Sequence, residues 1–272
     1  MKLSIYTSVR NGIFLDLHIV AMLRHHLELA DEIVVNEGFS DDDTYERIRD
    51  IDPKIRIHRQ RWDASAPSEW HRRFGNQARR LCTGDWCLKL DCDEFVPEWE
   101  FDRLRRTLET TDRSILPLRF LNFYANYRVL NVRPERSRWT VSKWVVHRNV
   151  DDAEVVGDGA GVILRSDPHP VPPDDMVSCH HFGAVRNPAR LRQNWRNEAA
   201  MKRSRPGFDR VPSVVYDLMP HDWFDRDFME DLAVYDGPVI RAVRENPDEF
   251  IRDGLRVYDW LKVKAAARPV HA

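Results

Sequence analysis

The 272-residue chain has no apolar run approaching the roughly 20 residues needed to cross a bilayer. Its first residues, Met1-Lys2-Leu3-Ser4-Ile5-Tyr6, enter a strand-like segment without the apolar stretch of a signal peptide. A soluble, cytoplasmic protein with no membrane span is therefore expected. Cysteine is scarce, and Cys82, Cys87, Cys92 and Cys179 show no CxxC spacing. The first three fall on a helix end, a strand and a loop, which does not suit a zinc site, so buried free thiols are expected. The formal net charge is only −2, which gives no global signal for nucleic acid. There is no internal repeat and no low-complexity segment. Neither a GxGxxG dinucleotide fingerprint nor a GxxxxGK[ST] phosphate loop occurs.

What is present centres on Asp85-Trp86-Cys87-Leu88-Lys89-Leu90-Asp91-Cys92-Asp93-Glu94-Phe95. A short, apolar, strand-like run ends abruptly in three carboxylates. Crowded carboxylates repel one another unless a cation or a set of donors neutralises them. Oxygen ligands at this spacing suit Mg²⁺ or Mn²⁺, ions commonly completed by the phosphates of a substrate. The plainer reading is a solvated acidic turn before a helix near Glu98, where acidic residues complement the helix N-terminus.

The first half alternates strand and helix. Strands are expected at Leu3–Thr7, Glu32–Asn36, Ile55–His58 and the run that delivers Asp91. Helices are expected from about Leu15 to Leu29, Tyr45 to Asp50 and Ser68 to Cys82. This β-α-β-α-β-α-β order predicts a mostly parallel sheet flanked by helices. Ligands of such sheets bind at the carboxyl ends of the strands, so segments at Asn11, Glu37, Asp63 and Asp91 share one rim. His18, His25 and His26 lie along the first helix without nearby carboxylates and are expected to be structural.

Beyond Glu94 the alternation weakens. A helix is expected at Arg103–Thr110 and a long strand at Ser114–Tyr124. Basic and aromatic residues interleave from Tyr127 to Trp144, a pattern that serves a sugar groove as well as nucleic acid. Asp158 stands in a Gly-Asp-Gly setting where backbone can approach a ligand closely. It is the expected general base, with Asp174 and Asp175 in reserve. Asn187-Pro188 reads as a helix start. The tail, with helical patterns near 226–235 and 247–262, reads as a helical cap. The expected division is 1–110 and 111–205, two halves of one domain, and 206–272, the cap.

In their order, Asn11, Glu37-Gly38-Phe39-Ser40-Asp41-Asp42-Asp43-Thr44, Asn76 and Leu90-Asp91-Cys92-Asp93-Glu94 resemble family 2 glycosyltransferases of GT-A fold. That family's corresponding motifs read Asp-x-Gly-Ser-x-Asp-x-Thr and Leu-Asp-Ala-Asp-Glu. The segment His181-Phe182-Gly183-Ala184-Val185-Arg186 resembles an acceptor-side motif more loosely. The resemblance implies a GT-A-like, Rossmann-type sheet with a helical C-terminal extension. It also implies an inverting, metal-dependent hexosyltransferase that moves a sugar from a nucleoside-diphosphate sugar to a glycan, natural-product or protein acceptor.

By the same resemblance Ser8, Asn11 and Asn76 lie at the nucleotide. Glu37 replaces the Asp that bonds base or ribose, and Asp63 holds the base edge. Asp91 meets the ribose or a metal-bound water, and Asp93 ligates Mn²⁺ or Mg²⁺. His181 adds an imidazole ligand, since His180 points to the other face of an extended segment. Arg186 meets a phosphate. The competing readings are a nucleotidyltransferase or pyrophosphatase-like enzyme on a similar sheet, and a non-catalytic carbohydrate-binding module.

Overall fold

The computed structural model describes residues 1–62, 69–132, 142–157, 159, 161–167, 170, 173–187, 189–191, 193 and 232–251. Asp63 and Asp158 lie outside the described residues, as do most of the basic and aromatic run before Trp144 and most of the tail.

Four parallel strands build the first half: β1 (Leu3–Val9), β2 (Glu32–Glu37), β3 (Ile55–Arg59) and β4 (Trp86–Lys89). β1, β2 and β4 are buried along almost their whole length, as strands covered on both faces require, whereas the edge strand β3 buries only Ile55. Successive side chains point to opposite faces and enter different cores. Ile5, Val35 and Leu88 join the core beneath helices α1 (Ile19–His26) and α2 (Thr44–Ile48). Tyr6, Val34 and Cys87 join the core beneath α3 (Trp70–Arg80). On α1, Ile19, Met22 and Leu23 recur at helical spacing and are fully buried. The expected Leu15 is not on this helix; residues 11–17 form turns that hold the loop after β1.

In the sheet the order runs β4-β1-β2-β3, so the chain leaves β1 in one direction and returns on its other side. The crevice between the carboxyl ends of β1 and β4 is the topological switch point, where sheets of this kind hold ligands.

The second half extends the sheet past β4 and makes it mixed. Helix α4 (Phe101–Thr110) follows the short strand β5 (Glu94–Phe95). Then β6 (Ile115–Tyr124), β7 (Asn126–Asn131) and β8 (Ser142–Arg148) follow, with β8 inserted antiparallel between β4 and β6. A separate hairpin, β9 (Ala153–Val156) with β10 (Gly161–Leu164), packs on the α3 side. β11 (Ser178–Ala184) runs parallel to β6 and antiparallel to β5.

The expected helix over 226–235 is replaced, in its described part, by strand β12 (Leu232–Val234), which pairs with β7. Its apolar residues complete a sheet edge, and that pairing overrides the helical periodicity. Helices α5 (Arg241–Glu245) and α6 (Pro247–Ile251) follow, and Phe250 of α6 is fully buried against His18, Phe95 and Phe182. The three helix histidines are buried and bonded within the fold: His18 and His25 donate to the carbonyls of Val185 and Val96, and His26 Nδ1 to that of Met22. All four cysteines are buried free thiols.

Candidate functional site

The acidic turn leaves β4 at the switch point and immediately re-enters the sheet as β5. The pairing of His181 with Glu94, and a bond from the Phe182 N–H to the Asp93 carbonyl at 2.8 Å, bring β11 against this turn. Three carboxylates therefore stand beside residues that arrive from far along the chain.

Each carboxylate has its own cation. Asp91, whose side chain is 46 % exposed, accepts from Lys89 Nζ at 2.5 Å. Desolvation opposes its ionisation, but the ammonium groups of Lys89 and then Lys143 hold its pKa well below the usual carboxylate range. Asp93 is buried and accepts from Arg186 Nη2. Desolvation again works against its charge, and Arg186, then His181, lower its pKa. Glu94 is fully buried and accepts from Lys143 Nζ at 2.5 Å and from the Asp91 N–H at 2.8 Å. Burial, then the charge of Asp91, push Glu94 up to about 7, against the pull of Lys143.

His181 donates from Nδ1 to Asn122 Oδ1 at 2.8 Å and directs Nε2 toward Asp93 Oδ1 at 3.6 Å. Burial lowers its pKa to about 4, so the imidazole is neutral at pH 7. Gly183 makes this approach possible, because a Cβ there would lie 2.5 Å from His181 Nε2 and 3.4 Å from Asp93 Oδ2. His180 turns the other way, among Phe123, Trp99 and Tyr235.

Arg186 is fixed from both sides by the loop after β1. The Val185 carbonyl accepts from His18 Nε2 at 2.8 Å, and the Asn187 N–H donates to Asp16 at 2.7 Å. Arg186 is 3 % exposed, and its Nε and Nη1 are buried with no hydrogen-bond acceptor. Three further buried polar atoms of the same rim also lack partners: Arg10 Nε after β1, Asn36 Oδ1 near the end of β2 and Trp62 Nε1 after β3. His25 Nδ1, Arg79 Nε and Trp86 Nε1 lack partners away from this rim; buried polar groups are normally satisfied, so the rim atoms are candidates for a ligand's contacts.

The loops after β1 and β2 are stapled together by the motif residues themselves. Asn11, at φ 55°, accepts the Asp41 N–H at 2.8 Å and donates its own N–H to Ser40 Oγ at 2.8 Å. Asp42 accepts the N–H groups of Phe14 and Thr44. Ser8 lies at the end of β1, where its carbonyl faces the Cys92 thiol.

Several expected roles are reassigned. Glu37 is fully buried with one oxygen on the Ser40 N–H (2.6 Å) and the other on Arg59 Nε (2.7 Å), so in this structure it holds the loop after β2 and positions Arg59 rather than facing a base or ribose. Asn76 is a structural clamp: its amide pairs with both the N–H and the carbonyl of Val155, at 3.0 Å each, tying α3 to β9. Asp175 precedes β11, six residues before His181 (about 20 Å if extended), and pairs with Arg103 of α4. That places it and its neighbour Asp174 away from the rim.

Asp158 itself lies outside the described residues. Beside it, Gly157 and Gly159 take positive φ, and a Cβ on Gly159 would lie 2.6 Å from the His71 Cβ. Lys89, Lys143, Asn122 and Arg59 were not anticipated. Lys89 did carry a signal, as a lone lysine inside an otherwise apolar strand.

Among the described residues no group of three or more His, Cys, Asp or Glu side chains stands ready to hold a metal ion. Asp91 faces Lys89 and Glu94 faces Lys143, which leaves Asp93 and His181 as the remaining donors, with Arg186 already on Asp93. The donor set therefore does not fit a resident divalent cation. Crowding alone no longer calls for one, since protein cations neutralise each acid.

No family model matches the chain, and no curated protein matches it by sequence. Among solved structures the chain is similar to residues 1–349 of S. aureus TarS, at 12 % identity and a TM-score of 0.42, covering 80 % of this chain and 68 % of that one. The same TarS fragment in complex with UDP-GlcNAc gives 13 % identity and a TM-score of 0.43, over 80 % and 70 %. Glucosyl-3-phosphoglycerate synthase from Mycobacterium tuberculosis, in complex with Mn²⁺, UDP-glucose and phosphoglyceric acid, gives 16 % identity and a TM-score of 0.35, over 58 % and 62 %.

Proposed function

We propose that the protein is a glycosyltransferase that moves a sugar from a nucleoside-diphosphate sugar to an acceptor hydroxyl. The observation that carries this reading is the switch-point crevice. It gathers the acidic turn after β4, the unpartnered atoms Arg10 Nε, Asn36 Oδ1 and Trp62 Nε1, and the buried guanidinium of Arg186 on one rim. Polar atoms across the ends of β1, β2 and β3 suit a nucleoside, and Arg186 at the β4 side suits its diphosphate.

In this reading the acceptor oxygen attacks the anomeric carbon as the carbon–phosphate-oxygen bond breaks. The acceptor proton passes to a carboxylate, for which Asp158 remains the proposed base, and a single displacement inverts the anomeric centre. The chain positions the donor and stabilises the leaving diphosphate through fixed donors. The expected Mn²⁺ or Mg²⁺ supplies no step here, because the donor set does not fit it. The acceptor is a glycan, natural product or protein. No described helix is long and apolar enough to cross a membrane. A non-catalytic carbohydrate-binding module has no use for a buried arginine with open donors beside three carboxylates.

Mass spectrometry of UDP-, GDP- and dTDP-sugars incubated with the protein tests the activity. Slow release of the nucleoside diphosphate from one of them, lost in Asp158→Asn by about 10²-fold or more, is expected. Stable donors throughout the panel would refute the enzyme reading.

A further inference from the structure

We infer that Arg186 takes the place of a divalent cation at the leaving diphosphate, so that nucleoside-diphosphate binding is independent of metal. This rests on the glycosyltransferase reading and sharpens it.

The first support is charge balance. Asp91, Asp93 and Glu94 are matched by Lys89, Arg186 and Lys143, all three of them buried. Carboxylates that bind a divalent ion through substrate phosphates are ordinarily left open to it. Here the two fully buried acids are already engaged, and an added dication would have to compete with a guanidinium and two ammonium groups.

The second support is independent of charge counting. Arg186 spends only Nη2 on Asp93 and leaves one N–H on Nε and two on Nη1 buried and without acceptors. A structural arginine in a folded core is normally satisfied, since an unmade bond to a buried charged group is costly. Phosphate oxygens are strong acceptors with the charge this group lacks, and arginine meets them with directional bonds.

The third is preorganisation. His18 and Asp16, both in the segment after β1, grip the backbone on either side of Arg186, while Asp93 holds the side chain itself. A cation fixed before the charge develops stabilises it without reorganising at the moment of bond breaking. Asp93 is then a positioning residue for Arg186 rather than a metal ligand.

Calorimetry with UDP, GDP and dTDP, each in excess EDTA and again with Mn²⁺, tests this. The expected result is one preferred nucleotide whose affinity changes by less than about threefold between the two conditions. Arg186→Lys keeps a positive charge opposite Asp93 but loses the Nε and Nη1 donors. It should weaken that binding by about tenfold or more in both conditions, with the melting temperature of the variant checked alongside. Binding that vanishes in EDTA and returns with Mn²⁺ would overturn the inference and leave the glycosyltransferase reading standing. Unchanged affinity in a folded Arg186→Lys would overturn it as well. Failure of all three nucleotides in both conditions would bring down the functional reading, and this inference with it.

Discussion

Two buried carboxylates pair with arginines at opposite ends of the rim, and the pairs differ in what they leave undone. At the β2–β3 end, Glu37 uses both oxygens, and its partner Arg59 lies over the rings of Tyr45 and Phe39, 3.9 and 4.4 Å from their centroids. Arg59 is 33 % exposed, so its remaining donors are open to solvent. At the β4–β11 end, Arg186 is sealed from water and holds open donors beside Asp93. The first pair is a finished piece of structure. The second leaves buried donors without acceptors, and that contrast is why the proposed reading puts the diphosphate at this end of the rim.

Breaking each pair measures the difference. Asp93→Ala leaves a guanidinium buried without its counter-charge, which typically costs about 3–5 kcal/mol. The melting temperature should fall on the order of 10 °C. Repulsion among the carboxylates argues for the opposite sign, and a stabilised Asp93→Ala would mean that Arg186 does not neutralise Asp93 in solution. Glu37→Gln keeps one acceptor and leaves Arg59 free to turn to water, so a smaller loss of about 1–3 kcal/mol is expected. Equal losses would erase the distinction between the two ends.

The pH dependence of stability probes the buried groups of the second half and of α1. Burial lowers His181 and His25 to about 4 and His180 to about 3, and His147 is likewise lowered to about 4. A histidine with a depressed folded pKa contributes stability that is present above about 6.5 and is lost as pH falls through the folded value. Glu94, raised from 4.5 to about 7, acts in the opposite sense. Its contribution is present below about 4.5 and is lost as pH rises through 7. Four groups outweigh one, so the melting temperature should rise between pH 4.5 and 6.5. A flat or falling profile in thermal melts across that range would mean that Glu94 dominates.

The alternation of the first half was legible because each strand carries a short cluster of β-branched or other apolar residues and the helices α1 and α3 carry an apolar stripe; both are local properties. The acidic turn was legible for the same reason, as an abrupt change of character at Asp91. What neutralises it was not legible. Lys143 reaches Glu94 only because β8 inserts beside β4, and Arg186 reaches Asp93 only because β11 pairs with β5. Long-range pairing of this kind leaves no trace in periodicity. The same applies to Asn76, whose polar side chain at a helix face looked like a ligand contact until β9 supplied its partner. Strand β12 was misread because three residues are too few to show a period of two against a helical background.

The smallest expected effect concerns the finished end. Phe39 has φ 53°, a left-handed conformation that costs a bulky residue of order 1 kcal/mol, and its ring is 42 % exposed above Arg59. An exposed cation–π contact returns about 0.5–1 kcal/mol. Phe39→Gly removes both the strain and the contact, so its stability in urea denaturation should stay within about 0.5 kcal/mol of wild type. Phe39→Ala removes the contact but keeps the strain, and should lose about 0.5–1 kcal/mol. The order, with Gly above Ala at an exposed site, reverses what surface substitutions usually show, because Gly ordinarily carries the larger entropic cost. If Ala proves the more stable of the two, the left-handed backbone at residue 39 is not kept in solution, and the Arg59 platform does not hold the loop after β2 as described.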